Sequence, residues 1–266
     1  VGPGTCIRLY SEQDFISRPA FTDPEILRSN LASVILQMKA LRLGDVDSFP
    51  FIDPPGARMI RDGYDTLEEL DAITESRDLT PVGQSLAKLP IDPRLGRMIL
   101  AGEKENAMSE LLVIAAALSV QDPRERPMDQ RDAADAAHKQ FHQEGSDFLT
   151  LLHIWKRDHE EAAQRSNSQL RKWRKENFLS HMRMREWRDI HQQLRSILTE
   201  MGHKPNAKDA DEASFHRAVL AGLLGAVGKL DESGEYAGSR GNPFVLFPGS
   251  ARLAANYTSP YSAQTV

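Results

Sequence analysis

Apolar and polar positions repeat with helical spacing over residues 165–201, a stretch that contains no Gly or Pro. Such composition predicts one continuous helix of about 36 residues. Steps of three and four residues form an apolar row that predicts a buried seam, made of Trp187, Ile190, Leu194, Ile197 and Met201. A second row is polar and holds no acid; its members are Arg174, Asn177, His181, Arg185, Arg188, Gln192 and Arg195.

Charge sets the same stretch apart from the rest of the chain. Residues 165–195 contain nine Lys and Arg against three acids, which gives +6, and a whole-chain charge of −5 leaves −11 for the remainder. A basic row on an otherwise acidic protein indicates a polyanion that lies along one helix. The alternative, a solvated helix face with surface ion pairs, stays open on the residues alone.

The remaining pattern predicts further helices near residues 24–43, 57–74, 93–104, 107–119, 130–142, 145–164 and 211–225. Residues 5–10 favour a strand, and a Pro/Gly turn between residues 79–80 and 86–89 favours a short hairpin. Two helices followed by a hairpin are typical of a winged helix. Short strands are predicted at residues 235–236 and 244–247, and residues 254–266 are small, polar and unassigned. Asp23 is the predicted N-cap of the helix at 24–43.

Composition excludes several classes of protein. A single cysteine, Cys6, excludes an intramolecular disulfide and a Cys-rich zinc site, and it fits a reducing compartment such as the cytoplasm. No apolar run approaches the roughly 18 residues that span a bilayer, and no secretory signal is present. Because the first residue is not Met, we expect the chain to begin inside a longer protein.

Motifs that would carry catalysis are missing or incomplete. Gly228 and Lys229 lack the upstream Gly and the following Ser or Thr of a phosphate-binding loop. Acids at 211–212 are explained by a helix N-terminus. His138 and His142 have the spacing of metal ligands but no third ligand, so we interpret both as surface histidines. We therefore expect no catalytic, cofactor-binding or metal-binding residue in this chain.

Trp173 and Trp187 lie 14 residues apart on nearly the same helical face. Two tryptophans so placed could stack on bases, but aromatic residues at helical spacing more often fill a core. We favour the core interpretation.

Several segments resemble one family. ILRSNLASVILQMKALRLGDVDSFPFIDPP, LTPVGQSLAKLPIDPRLGRMIL and NPFVLFPGS are similar to the C-terminal half of DEAH-box ATP-dependent RNA helicases, and WRKENFLSHMRMREWRDIHQQLRSIL is similar to the bacterial HrpA-type branch. The resemblance covers residues 1–253, with the motifs in the family's order and spacing. It places the chain after the last helicase motif, so the ATPase motifs would lie upstream.

The resemblance implies a mainly α fold: a winged helix plus a helical ratchet-type bundle, followed by a partial OB-like β segment. Its implied divisions are the tail of a second RecA-like domain (1–23), the winged helix (24–91), the ratchet-type domain (92–225) and the start of the OB-like fold (226–253). The chain alone would be inactive, whereas the parent protein would be a helicase that uses ATP and Mg.

Partners follow from the same resemblance. They are single-stranded RNA, with DNA as the alternative, and the RecA-like domains of the same chain; no membrane is expected, and the protein would be a cytoplasmic monomer. The seven residues of the polar row would face the strand, with Ser180 and Arg183 as second choices. Arg94 and Arg97 are expected to brace the winged-helix junction rather than to contact nucleic acid.

Two other functions compete with this one. The chain could be a protein-interaction scaffold that docks the motor or another partner without binding RNA directly. It could also be an enzyme with an unfamiliar site, which the missing motifs argue against.

Overall fold

The structure is a computed structural model that describes residues 2, 4–19, 21–22, 24–28, 30–230, 235–239, 243–246 and 250. The predicted N-cap Asp23, the predicted strand end Phe247 and the tail at 254–266 lie outside the described residues. Helices dominate the described part, and one small sheet follows them near the C-terminal end. This architecture confirms the mainly α fold with a partial β segment.

The described residues contain twelve α-helices, two short 3-10 turns and three strands. The helices are α1 Glu12–Ser17, α2 Glu25–Arg28, α3 Leu31–Ala40, α4 Ala57–Glu69, α5 Pro81–Leu86, α6 Pro93–Lys104, α7 Met108–Leu118, α8 Arg131–His138, α9 Asp147–Gln164, α10 Asn167–Glu176, α11 His181–Glu200 and α12 Glu212–Leu220. The 3-10 turns are Lys139–Phe141 and Leu224–Ala226, and the strands are β1 Gly228–Leu230, β2 Tyr236–Gly238 and β3 Pro243–Phe244.

The prediction of one helix over residues 165–201 is wrong, because the chain forms α10 and α11 with a turn between them. Ser166 begins α10 with a capping box in which Gln169 is the reciprocal partner. After Glu176 the backbone leaves the helical conformation, and Phe178 adopts a φ of 51°. A non-glycine residue in that region is uncommon, and here it closes the end of α10, because the Phe178 and Leu179 amides donate to the Lys175 and Arg174 carbonyl oxygens at 3.2 and 2.8 Å.

The helix predicted at 24–43 is also divided. Asn30 caps α3 by accepting a hydrogen bond from the Ala32 amide at 2.9 Å, so α3 starts afresh after α2. By contrast, the helix predicted at 93–104 has the bounds of α6, Pro93–Lys104, which Asp92 caps and Pro93 opens. Strong local caps therefore decided the bounds at both places.

The hairpin predicted over residues 79–89 is wrong, because residues 81–86 form α5. Thr80 accepts a hydrogen bond from the Gly83 amide at 3.0 Å, and Pro81 occupies the first turn, which together favour a helix. One isolated bridge, between Ile73 and Leu79, is the only antiparallel pairing that the structure describes in this region. A Cβ on Gly83 would lie 1.9 Å from the Ala72 carbonyl oxygen, so α5 packs directly on the backbone there.

The strand predicted at residues 5–10 is absent from the described residues, where this segment has no regular structure. A short helix, α1, follows it instead and is capped by the Ser11 hydroxyl. Large apolar side chains in this N-terminal segment are exposed, among them Ile7, Leu9 and Phe21. Such a strand needs partner strands to satisfy its backbone, and none is present among the described residues.

Two clusters of buried apolar side chains form the interior. The first lies within residues 31–86 and centres on α3 and α4, where Leu31, Ile35 and Leu67 are fully buried. The second lies within residues 89–219 and packs α6 and α7 against α9, α11 and α12. Leu100 touches both clusters. Apolar burial of this extent is the main force that holds such helices together.

The sheet is small and antiparallel, in the order β1–β2–β3. Its register pairs Leu230 with Tyr236 and Tyr236 with Phe244, whose rings stack at 5.3 Å. The predicted strand positions at Tyr236 and Phe244 are confirmed, whereas Val245 and Leu246 lie outside the strand. In the part of the chain that the structure describes, no helix has the length and apolar character needed to cross a membrane.

Candidate nucleic-acid interface

The turn between α10 and α11 is fixed by a loop at residues 120–129 and by α8. The Phe178 carbonyl oxygen accepts hydrogen bonds from the Glu125 amide at 2.7 Å and from His138 Nε2 at 3.2 Å. The Ser180 amide donates to the Pro123 carbonyl oxygen at 2.8 Å. These long-range bonds satisfy backbone groups that a continuous helix would have satisfied locally, and they attach the turn to the loop and to α8.

A buried carboxylate joins three helices at this turn. Asp158 of α9 is 0% exposed, and both of its oxygens accept hydrogen bonds from Arg174 of α10, from Nε at 2.6 Å and from Nη2 at 2.8 Å. Arg188 of α11 donates from Nη2 to Asp158 Oδ2 at 2.5 Å and to the Asp158 carbonyl oxygen at 3.2 Å. Two-pronged pairing with arginine is among the strongest charge-assisted arrangements in proteins.

The expectation that the polar row is uncompensated is wrong for two of its members. Arg174 is 1% exposed and faces the interior, so it cannot contact a nucleic-acid strand bound at the surface. Arg188 is 29% exposed and shares the same carboxylate. The acid that compensates them lies on α9, a helix outside the stretch from which the row was predicted.

The other five members of the row lie at or near the surface. Asn177 is half-buried, donates to the Trp173 carbonyl oxygen at 2.8 Å and accepts from Gln140 at 2.6 Å, so both ends of its amide are engaged. His181 is half-buried, and Arg185, Gln192 and Arg195 are exposed. Arg185 and Arg195 have no ion pair with any described residue.

A further arginine belongs to this surface but was missed from the sequence. Arg171 is exposed on α10, and its charge, with those of Arg174 and Arg185, lowers the pKa of His181 after the larger effect of partial burial. Arg171 is therefore close to His181 although it lies outside the predicted row. We use the name basic flank for the surface formed by Arg171, His181, Arg185, Gln192 and Arg195.

A cluster of aromatic side chains joins α9 to α11, the helix that carries most of the basic flank. The Trp155 ring lies 5.0 Å from Trp187, 4.4 Å from His159 and 4.7 Å from His191. Burial, followed by the charge of Arg195, lowers the pKa of His191 to about 4. Burial also lowers the pKa of His159. Both rings are thus neutral at pH 7 and pack as aromatic side chains.

The preference for Trp173 and Trp187 as core residues is confirmed. Trp187 is fully buried and donates from Nε1 to the Val113 carbonyl oxygen at 2.8 Å. Trp173 packs edge-on against Phe141 at 6.4 Å. The predicted seam is confirmed in part, since Trp187 and Leu194 are buried and the other three residues are partly buried against the same core.

Arg97 and Arg94, the two residues expected to brace the winged-helix junction, both make contacts from α6 to the region of α4. Arg97 donates from Nε to the Leu70 carbonyl oxygen at 3.1 Å, which braces α6 against the end of α4 and confirms its structural role. Arg94 reaches Thr66 at 3.5 Å. Of the two second choices for contact with the nucleic-acid strand, Arg183 donates to the Asp122 carbonyl oxygen at 2.9 Å, in the loop at 120–129. Ser180 is the N-cap of α11 and lies at the turn.

The interpretation of two surface histidines is wrong for one of them. His138 is buried and bonded to the Phe178 carbonyl oxygen, whereas His142 is exposed. No group of three or more metal-ligating side chains occurs among the described residues.

The incomplete phosphate-loop fragment and the acids near residue 211 have structural explanations. Gly228 and Lys229 lie in the paired strand β1, so their amides do not form a phosphate cradle. Asp211 caps α12 by accepting from the Ser214 amide at 3.0 Å.

Asp158 is the important residue that sequence reasoning missed. In α9 the positions 151, 155, 158 and 162 repeat at helical spacing, and three of them are apolar. An acid on such a row signals a buried carboxylate that needs a cationic partner. That signal was available, but the identity of the partner required knowledge of how α9 lies against α10 and α11.

Comparison with known proteins agrees with this architecture. Residues 92–151 match the family described as "Helicase associated domain (HA2), ratchet-like". The chain is 48% identical over 256 residues to the ATP-dependent RNA helicase HrpA of Escherichia coli (strain K12), and 47% identical over 258 residues to the ATP-dependent RNA helicase HrpA homolog of Haemophilus influenzae. Each alignment covers 94% of this chain and 20% of the relative, so the chain spans about a fifth of the length of these relatives.

The identity extends across nearly the whole chain, and the match to the ratchet-like domain covers α6, α7, α8 and the start of α9. The chain therefore corresponds to a C-terminal region of HrpA-type DEAH helicases, the region that contains the helicase-associated domain.

Proposed function

We propose that this chain holds single-stranded RNA along the basic flank while RecA-like motor domains of the same protein hydrolyse ATP with Mg. The basic flank is the observation that carries the proposal. Arg171, Arg185 and Arg195 are exposed and have no carboxylate partner among the described residues, on a chain whose net charge is −5. Unpaired cations on an acidic protein favour contact with phosphates.

The buried network beneath the basic flank gives it the rigidity that a strand-holding surface needs. Asp158 ties α10 to α11 through Arg174 and Arg188, so Arg171 and Arg185 are held on two helices whose relative position is fixed. Because the two helices are already fixed relative to each other, less conformational entropy is lost in ordering the backbone when a strand binds. Phosphate contacts of this type position a strand without reading its sequence, which suits a protein that must pass along any RNA.

The proposal includes the domain organisation that the resemblance implies. Residues 24–91 would be a winged helix, residues 92–225 the ratchet-type domain and residues 226–253 the start of an OB-like fold, with residues 1–23 as the tail of a RecA-like domain. Together these parts would cover the strand, and ATP would be bound by the motor domains. The parent protein would then be a cytoplasmic monomer, and single-stranded DNA is the alternative ligand.

Fluorescence anisotropy with a labelled single-stranded RNA of mixed sequence tests this function. Arg171→Glu/Arg185→Glu removes two cations from the basic flank, so we expect the affinity at low salt to fall at least about tenfold. The slope of log K against log salt should become shallower by about 1.4, because each phosphate contact to a single strand contributes about 0.7.

Arg61→Glu/Lys88→Glu is the matched control for that experiment. Both residues are exposed, lack an ion pair among the described residues and lie outside the basic flank, so the charge change is the same. We expect this control to bind within about threefold of the unsubstituted chain, since long-range electrostatic effects are screened. Equal loss in both double variants, or no loss in either, contradicts the assignment of the basic flank.

A scaffold function is favoured by a different observation. In the N-terminal segment Ile7, Leu9 and Phe21 are 82%, 95% and 88% exposed. Apolar side chains so exposed are typical of a surface that another domain covers, which fits docking onto the RecA-like motor. Co-purification of this chain with the separately produced motor domains, together with no measurable affinity for RNA, would support the scaffold over RNA holding.

A further inference from the structure

His181 lies at the end of a series of polar contacts that begins in the interior. Asp158 accepts two hydrogen bonds from Arg174, and Arg174 Nη1 in turn lies 3.0 Å from His181 Nδ1. A guanidinium group only donates, so Nδ1 must be the acceptor. The single ring proton of a neutral imidazole is then on Nε2.

The opposite ring nitrogen is available for a ligand. His181 Nε2 has no hydrogen-bond partner among the described residues, and it is not among the buried polar atoms that lack one, so it reaches the solvent. It lies within the basic flank, where the charges of Arg171 and Arg185 act on the same ring. An N–H donor between two unpaired cations is suited to an oxygen of a phosphodiester.

All charged groups near the ring favour its neutral form except one. Arg171 and Arg174 approach from α10 and Arg185 from its own helix, whereas Asp158 of α9 has a smaller and opposite effect. Arg188, also on α11, reaches that same carboxylate. Partial burial is the largest cause and lowers the pKa of His181, so the imidazole is neutral at pH 7.

We propose that His181 is a neutral hydrogen-bond donor, through Nε2, to a phosphate oxygen of a bound single strand, and that Arg174 is the positioning residue that fixes its tautomer. This inference rests on the proposed RNA-holding function and specifies one of its contacts. It also gives the buried Arg174 a role in binding that does not require it to reach the surface. Asp158 supports that role by holding the guanidinium group with two bonds.

Two isosteric substitutions test the donor. The side-chain amide nitrogen of Gln reaches the position of Nε2. The Asn side chain is shorter by one carbon, so its amide nitrogen lies near the position of Nδ1. We expect His181→Asn to weaken binding of the labelled single-stranded RNA by about 3- to 10-fold, the value of one net hydrogen bond, and His181→Gln to stay within about twofold. Because no charge is removed, the salt slope should be unchanged in both variants, in contrast to Arg171→Glu/Arg185→Glu.

Nitrogen-15 NMR of the His181 ring in the unsubstituted chain provides a second measurement that does not depend on any variant folding. We expect the Nε2–H tautomer at pH 7. An imidazolium ring, an Nδ1–H tautomer, equal losses in the Gln and Asn variants, or unchanged binding in both would overturn the proposal. If Arg171→Glu/Arg185→Glu also binds RNA normally, the proposed function fails as well; if that variant alone loses affinity, only the His181 assignment fails.

Discussion

Two arginines from the same predicted row, Arg174 and Arg185, have opposite environments. Arg174 lies at the C-terminal end of α10, is 1% exposed and is bound by a carboxylate from a third helix. Arg185 lies little more than one turn into α11, is exposed and has no ion pair among the described residues. The helical pattern could not distinguish the two positions, because we interpreted residues 165–201 as one continuous helix.

The comparison shows how one acid converts part of a basic surface into a structural network. A buried charge is tolerated only if it is paired, and Asp158 is paired with two cations at once. These two members of the row, Arg174 and Arg188, therefore contribute to holding α9, α10 and α11 together. The exposed members, Arg185 and Arg195, have no ion pair among the described residues and are available for a ligand.

The largest effect is expected from Asp158→Ala. This change leaves Arg174 buried without a counter-charge and removes the bond to Arg188, so the free energy of unfolding should fall by about 3–5 kcal/mol. Urea denaturation followed by circular dichroism measures it. Asp189→Ala, an exposed acid on α11 without an ion pair among the described residues, is the control and should change stability by less than about 0.5 kcal/mol. Similar losses in the two variants would show that Asp158 does not join the three helices.

An intermediate effect is expected when acid protonates His191, which lies near the middle of α11. Its pKa is about 4 in the folded chain, below the ordinary 6.5, so the unfolded chain binds more protons between these values. Stability from the neutral ring is complete above pH 6.5 and is lost as the pH falls towards 4. His191→Phe keeps an aromatic ring against Trp155 and should reduce this loss by about 1 kcal/mol, after allowance for solvent screening.

Thermal unfolding of the unsubstituted chain and the His191→Phe variant at pH 7 and pH 5 checks this expectation. His142→Gln provides the control, because His142 is exposed and its substitution should leave the difference between the two pH values unchanged. A His191→Phe variant with the same acid sensitivity as the unsubstituted chain would contradict the assignment of the buried neutral ring.

The smallest effect is expected from Arg185→Ala/Arg195→Ala, two exposed positions of the basic flank. Surface changes away from caps and buried networks usually alter stability by less than about 0.5 kcal/mol each. We therefore expect an unchanged urea midpoint together with weaker binding of single-stranded RNA. A large loss of stability in this variant would remove the distinction between the structural and the ligand-facing members of the row.

The sequence by itself determined which elements form where local signals agree. Asp92 and Pro93 fixed the start of α6, apolar spacing identified Trp187 and Leu194 as core positions, and the segments similar to DEAH-box helicases identified the family. It also indicated that the basic charge is concentrated in residues 165–195. Caps, periodicity and charge counts are properties of neighbouring residues, so they can be read along the chain.

Only the tertiary structure decided which of those basic residues are paired with a carboxylate and which have no ion pair among the described residues. The turn at Phe178 is held by bonds to Pro123, Glu125 and His138, which lie some 40 to 57 positions earlier, and Asp158 selects Arg174 and Arg188 from another helix. The helix at residues 81–86 is favoured locally by Thr80 and Pro81, whereas its close packing on the Ala72 backbone is a contact that only the tertiary structure shows. Contacts between residues far apart in the chain leave no periodic pattern in the sequence. The spacing of the polar row therefore could not show that Asp158 pairs with two of its members.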